Sequence, residues 1–264
     1  MFKTLSALLV ASICSVSFGG TVDSVKVKTS RGAIVDVAIN IPDHFSGKAA
    51  AVVIAPGQGY NMDLPIIKSL AEKLAAEGLI AYRFNWNYYS TDPKNGQPSD
   101  DLSNEVQDMQ AVVNLAKTDV RVDTSALILA GKSIGTLVSY KIFKTEPSAK
   151  ALVLMTPLCT SNYDDNGNAL PSPLASAAQN YLEFASVNRP VEMVLGNRDP
   201  NCSVPMLYDF LKDTRGNVAT VVIGGDHSWN VTNGTDPNST RRNSDNVAAG
   251  VAAVSHWIDL ILER

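Results

Sequence analysis

In residues 126–136, ALILAGKSIGT, the letters Gly131-Lys132-Ser133-Ile134-Gly135 admit two chemistries. Gly-Lys-Ser is the tail of a phosphate-cradling loop, whereas Gly-x-Ser-x-Gly is a sharp strand-to-helix turn that lifts a serine hydroxyl clear of a sheet. A phosphate loop needs its first glycine at position 126 and a flexible run of backbone N–H groups after it. Ala126, Leu127, Ile128, Leu129 and Ala130 form an apolar strand instead, so the phosphate reading fails. The same residues suit Ser133 as a nucleophile on a turn that Gly131 and Gly135 keep free of colliding side chains.

A serine hydroxyl attacks poorly at neutral pH and needs a base, which an acid must orient. The chain has 3 histidines. His44 precedes the apolar run 49–56 and belongs at its amino end, and His256 falls inside the last helical stretch. His227, in GGDHSW, directly follows the run 217–225, at the carboxyl end where ligands gather in a parallel sheet. The acid is expected between serine and histidine. VEMVLGNRDP puts Asp199 just past a strand on that same rim; Asp226 is a rival, but its adjacency to His227 aims it elsewhere. The order Ser133, Asp199, His227 is that of α/β-hydrolases. Two backbone N–H groups must meet the developing oxyanion. Ile134 offers one, and Gln58, between Gly57 and Gly59 in APGQGYNMD, offers the other. NWNYYSTDPKNGQPSDD (85–101) leaves a strand at the same rim, so Trp86, Tyr88 and Tyr89 are expected to line an acyl or alcohol pocket.

These residues work together only if one sheet presents them. VDSVKVKT (22–29) and AIVDVAINI (33–41), joined by SRG, read as an N-terminal β-hairpin. Strands then follow at 49–56, 79–86, 126–131, 150–157, 191–196 and 217–225. They alternate with helices at 64–78, 101–118, 135–144, 172–186, 204–213 and 245–264. Asp101 or Ser103 is expected to cap the second of these helices. Val247, Val251, Val254, Ile258 and Ile261 give the last one its apolar stripe. The alternation predicts an α/β fold, a mostly parallel central sheet with helices on both faces.

The remaining bounds are set by composition. Residues 1–19 combine Lys3, an apolar run of about a dozen residues and small residues near the end, the pattern of a secretory signal peptide. That run is shorter than the roughly 20 residues of a membrane span. Residues 20–264 are then a single α/β-hydrolase domain, periplasmic or secreted, with no membrane association after cleavage. A formal net charge of −4 without a basic run argues against nucleic acid as a partner. No cluster of ligand residues implies a metal, and no cofactor is expected. Asn230, Asn233 and Asn238 head glycosylation sequons.

APGQGYNMDLPIIKSLAEKLAAEGLIAYRFNW, LILAGKSIGT, VLGNRDPNC and GGDHSW together resemble α/β-hydrolases of the dienelactone-hydrolase-like kind, closest to the small branch named after a testis-expressed protein. The similarity runs over about 49 to 264 and implies a Ser-His-Asp hydrolase. The chain departs from that family's pattern twice: Pro56-Gly57 stands where His-Gly is usual, and Thr136 where a second glycine often continues the turn. In this fold the strands 150–157 and 191–196 are parallel neighbours, so Cys159 and Cys202 emerge at one rim, within reach of a disulfide that would brace the Asp199 loop. The expected activity is that of a serine esterase on small soluble esters, with a peptidase, a thioesterase or a noncatalytic binding protein as alternatives. The preference for small esters rests on the lack of a long inserted lid between 157 and 190.

Overall fold

A computed structural model describes residues 20–43, 47–160, 176–231 and 238–264. The expected signal segment, His44 and the sequon at Asn233 lie outside these residues, as does part of the stretch in which no lid was expected.

The hairpin forms from β1 (Thr21–Lys28) and β2 (Ile34–Ile41), antiparallel and in register from Thr21 opposite Ile41 to Lys28 opposite Ile34. The apolar runs become β3 (Ala49–Ala55), β4 (Ile80–Phe84), β5 (Val122–Lys132), β6 (Ala149–Met155), β7 (Val191–Gly196) and β8 (Val218–Ile223). All lie in one sheet of order β1-β2-β4-β3-β5-β6-β7-β8, and every pair from β4 to β8 is parallel. The inner strands are apolar on both faces because helices cover both. Val53 and Leu129 pack with α3 (Ser103–Thr118) and α4 (Ile134–Thr145). Their neighbours Val52, Ile54, Ile128 and Ala130 pack with α1 (Pro65–Ala76) and α7 (Ser239–Leu262), where Val251, Val254 and Ile258 of the apolar stripe are buried.

The order of the strands positions the site. After β3 the chain crosses to β4 on one side, and after β4 it returns to β5 on the other. The loops that leave β3 and β5 therefore part in opposite directions, opening a crevice at their carboxyl ends.

Some elements differ from expectation. The helix expected over 172–186 is, within the described residues, α5 (Ala177–Asn180) and a 3₁₀ turn (Phe184–Ser186). Ser176 and Gln179 close a capping box at its start, and Glu183, at φ 63°, breaks the helical path while Tyr181 and Phe184 turn into the core. A short helix, α2 (Asn87–Thr91), stands where only a loop was expected. Leu102, in a left-handed conformation, is the residue before α3, and Asp101 Oδ1 accepts the Ser103 N–H at 2.9 Å, so Asp101 serves the helix start from one position further out. α7 begins at Ser239, ahead of the apolar stripe, because its first turns are polar and carry no periodic signal. α6 (Val204–Leu211) lies close to expectation.

Candidate active site

Ser133 sits between β5 and α4 with φ 54° and ψ −123°, a conformation strained for any residue with a side chain. Two close approaches impose it. A Cβ on Gly131 would meet the Gly135 carbonyl oxygen at 2.2 Å, and one on Gly135 would meet the carbonyls of Ala55 and Pro56 at 2.6 Å. The Ser133 N–H donates to Met155 O of β6 at 3.1 Å, which ties the turn to the neighbouring strand. Thr136, the departure from the family pattern, is wholly buried; its hydroxyl donates to Ser133 O at 2.5 Å and lies 2.9 Å from the Tyr181 hydroxyl. The β-branched residue thus pins the turn rather than disturbing it.

Asp199 follows β7 and His227 follows β8. Their loops are joined edge to edge: Arg198 N–H donates to Gly225 O at 2.9 Å and Gly225 N–H to Asn197 Oδ1 at 3.0 Å. His227 Nδ1 lies 2.8 Å from Asp199 Oδ2 and 3.0 Å from Oδ1, and Nε2 lies 2.9 Å from Ser133 Oγ. A carboxylate can only accept, so the imidazole proton belongs on Nδ1, and the Nε2 lone pair faces the serine hydroxyl. Asp199 is 1% exposed. Asp226, the rival acid, accepts from the backbone of Ser228 and Asn230 at 2.8 and 3.0 Å, which holds its own turn together. His256 is exposed on α7, away from this line.

Ile134 is the first residue of α4, so its N–H has no acceptor within the helix. The β3 loop presses on the serine from the other side. A Cβ on Gly57 would stand 3.1 Å from Ser133 Cβ and 2.7 Å from the Tyr60 ring, so only glycine permits this approach. Gln58 follows directly, its side-chain amide donating to Gln97 Oε1 at 2.8 Å. Pro56, the other departure, needs no N–H here, and its carbonyl accepts from Trp86 Nε1 at 3.1 Å.

That bond relocates one expected pocket residue. β4 ends at Phe84 and α2 starts at Asn87, which turns Trp86 inward; it is wholly buried and packs edge-on against Phe84 at 4.9 Å. Trp86 therefore supports the β3 loop from beneath instead of forming an open wall. Tyr88 and Tyr89 are half-buried, and burial pushes the Tyr88 hydroxyl above its usual range, with Glu105 adding to the shift. Cys159 and Cys202 are joined as a disulfide with Cα atoms 4.7 Å apart. Cys159 N–H also donates to Asn201 O at 2.8 Å, and Asn201 N–H to Asp199 Oδ1 at 2.9 Å, so the bridge leads straight to the acid's loop.

Lys132 was read in the sequence only as part of the phosphate-loop question. It is wholly buried, with Nζ 3.3 Å from His227 O and 4.7 Å from the centre of the Tyr60 ring. Burial pushes its ammonium down to about 8, against the pull of Asp199 and Asp226. A separate cavity of about 870 Å³ lies between α1 and α7, with Leu64, Ser69, Val247 and Val251 in its walls. It reaches the histidine loop at Ser228 and Asn230 but is lined by none of Ser133, Asp199 or His227. Among the described residues, no group of His, Cys, Asp and Glu could hold a metal, and no helix is long and apolar enough to cross a membrane.

The family described as Alpha/beta hydrolase domain matches residues 48–259. No curated protein matches the chain. Among solved structures, Est1E from Butyrivibrio proteoclasticus is 16% identical with a TM-score of 0.66, over 93% of this chain and 100% of that one. An α/β serine hydrolase without lid from Xanthomonas campestris is 19% identical with a TM-score of 0.62, over 89% and 94%. An alpha-beta serine hydrolase homologue from Coxiella burnetii is 17% identical with a TM-score of 0.63, over 89% and 95%. At these identities the likeness is one of fold.

Proposed function

Because the chain belongs to the Alpha/beta hydrolase domain family, we propose that it is an exported serine hydrolase, a carboxylesterase that cleaves small soluble esters through an acyl-enzyme. One observation carries the reading: the hydrogen-bonded line from Asp199 through His227 to Ser133, at 2.8 and 2.9 Å. Ser133 Oγ attacks the acyl carbonyl as its proton passes to His227 Nε2. The carbonyl electrons move onto oxygen, where the N–H groups of Ile134 and Gln58 meet the charge. Asp199 holds the Nδ1 proton and stabilises the imidazolium. Collapse of the intermediate breaks the ester bond, and His227 gives its proton to the departing alkoxide. Water then attacks the acyl-enzyme by the same route, releasing the acid and restoring Ser133.

Tyr88 and Tyr89, half-buried on α2, are the proposed contacts for the substrate's organic group. Ferulic acid bound to Est1E gives a precedent within the fold for a small aromatic ligand. Residues 1–19 as a cleaved signal, residues 20–264 as one domain and a disulfide together support a periplasmic or secreted location. The dienelactone-hydrolase-like resemblance, down to the branch named after a testis-expressed protein, belongs to this same reading. A series of p-nitrophenyl esters from acetate to decanoate, with a thioester and a peptide beside them, tests it in wild type and Ser133→Ala. Short esters should turn over fastest and only in wild type. Turnover of the peptide or thioester alone would replace the esterase reading. Ester hydrolysis undiminished in Ser133→Ala would remove the mechanism.

A further inference from the structure

A buried ammonium costs several kcal/mol unless it is paired, and an aliphatic side chain of similar volume would fill the same space without that penalty. Lys132 is wholly buried at the end of β5, yet among the described residues no carboxylate is bonded to it. Its contacts are instead two loops. Nζ donates to the carbonyl of His227 itself at 3.3 Å, and it lies over the Tyr60 ring at 4.7 Å. That ring is the one in contact with Gly57, whose backbone presses on Ser133. One side chain therefore links the loop carrying the base to the loop carrying the oxyanion donor, passing beneath the nucleophile. The charged groups that face it are Asp199, held by His227, and Asp226, held by its own turn; the titratable neighbours are His227 and Tyr60.

We infer that Lys132 is a positioning residue of the proposed hydrolytic site: its charged ammonium holds the His227 and Tyr60 loops in register beneath Ser133. The inference rests on the serine-hydrolase reading above. The cation strengthens the bond to the His227 carbonyl, which is charge-assisted only while Lys132 is protonated. The depressed ammonium, at about 8, then sets where activity begins to fall on the alkaline side.

The experiment compares wild type, Lys132→Met and Lys132→Arg on p-nitrophenyl acetate from pH 5 to 9.5, with melting temperatures and the rate of fluorophosphonate labelling. Lys132→Met keeps the volume and removes the charge and donor. Its kcat should fall about 10- to 100-fold with KM within about threefold, as loss of orientation predicts. Labelling should slow by the same factor. Its melting temperature should hold or rise, because a buried charge has gone. Lys132→Arg stays charged throughout this range. It should recover part of kcat and show no fall near pH 8. Wild type itself should lose activity above about pH 8. Wild-type kcat and an unmoved pH profile in Lys132→Met would overturn the inference. So would equal losses in Met and Arg variants that both melt lower, since packing alone then explains the residue. A wild-type rate flat to pH 9.5 would overturn it without any variant. Ser133→Ala runs alongside: if it too hydrolyses and labels like wild type, the serine-hydrolase reading has failed, not this one alone.

Discussion

Lys132 and Glu192 are buried ionisable side chains on the same face of one sheet, at opposite ends of it. Lys132 closes β5 at the carboxyl rim, and Glu192 is the second residue of β7, near the amino end. Alternation puts both on the face of α1 and α7, since Ile128, Ala130 and Val194 pack there. Burial moves both to about 8, the lysine downward and the glutamate upward. Their surroundings differ. The lysine is bonded to the histidine carbonyl, whereas Glu192 Oε2 has no hydrogen-bond partner among the described residues. Burial alone therefore does not mark a site. At the rim the buried charge joins the loops of His227 and Tyr60, and at the other end a buried carboxyl packs against the sheet face.

The sharpest way to break this contrast is at the rim. Ser133→Ala and His227→Ala should each lower kcat/KM for a short ester by about 10⁴-fold or more, with the double variant little worse, because such residues act as a unit. Additive losses, read from the double-mutant kinetics, would dissolve the rim as one device.

Next comes the disulfide, which closes a sequence separation of 43 residues. Opening it with Cys159→Ser and Cys202→Ser together should cost about 2–4 kcal/mol in denaturant unfolding. It should also reduce kcat, because Asn201 beside the bridge bonds Asp199. Full activity in a destabilised variant would separate the bridge from the acid.

The smallest effect sharpens the other end. Glu192 keeps its proton in the folded chain up to about 8, while the unfolded chain releases it near 4.5. Its contribution therefore lowers stability as pH rises across that window, and the loss is complete above it. Lys132 has the opposite sign. Its penalty is present below about 8 and is relieved as pH rises toward 10.5, where the unfolded chain loses its own proton. Glu192→Gln should thus melt a few degrees above wild type at pH 8.5 and nearly level with it at pH 5, at about 2–4 °C per kcal/mol. Catalysis should not change. A pH-independent difference in calorimetry would place the carboxyl in solvent.

The contrast also explains what was legible in the sequence. The parallel fold was readable because β3 is an unbroken apolar run and β6 and β7 are apolar but for Lys150 and Glu192. Ser133, Asp199 and His227 were placed on one rim because each lies just past the carboxyl end of a strand in a parallel sheet. Lys132 could not be assigned, because a lysine at a strand end reads as the strand's exit to solvent. Trp86 was named for the pocket although buried packing was the stronger reading, and the five residues of α2 are too few to show a period. The stretch after Cys159 failed differently: its apolar spacing suits a helix, but Glu183 in a left-handed conformation breaks it within the described residues.

The central claim is that Ser133 is an activated nucleophile, and a fluorophosphonate probe tests it most directly. Wild-type protein should gain one phosphonyl group by intact mass. Peptide mapping should place it on Ser133, and the labelling rate should fall in His227→Ala. No label, or a label that persists in Ser133→Ala, would contradict the account.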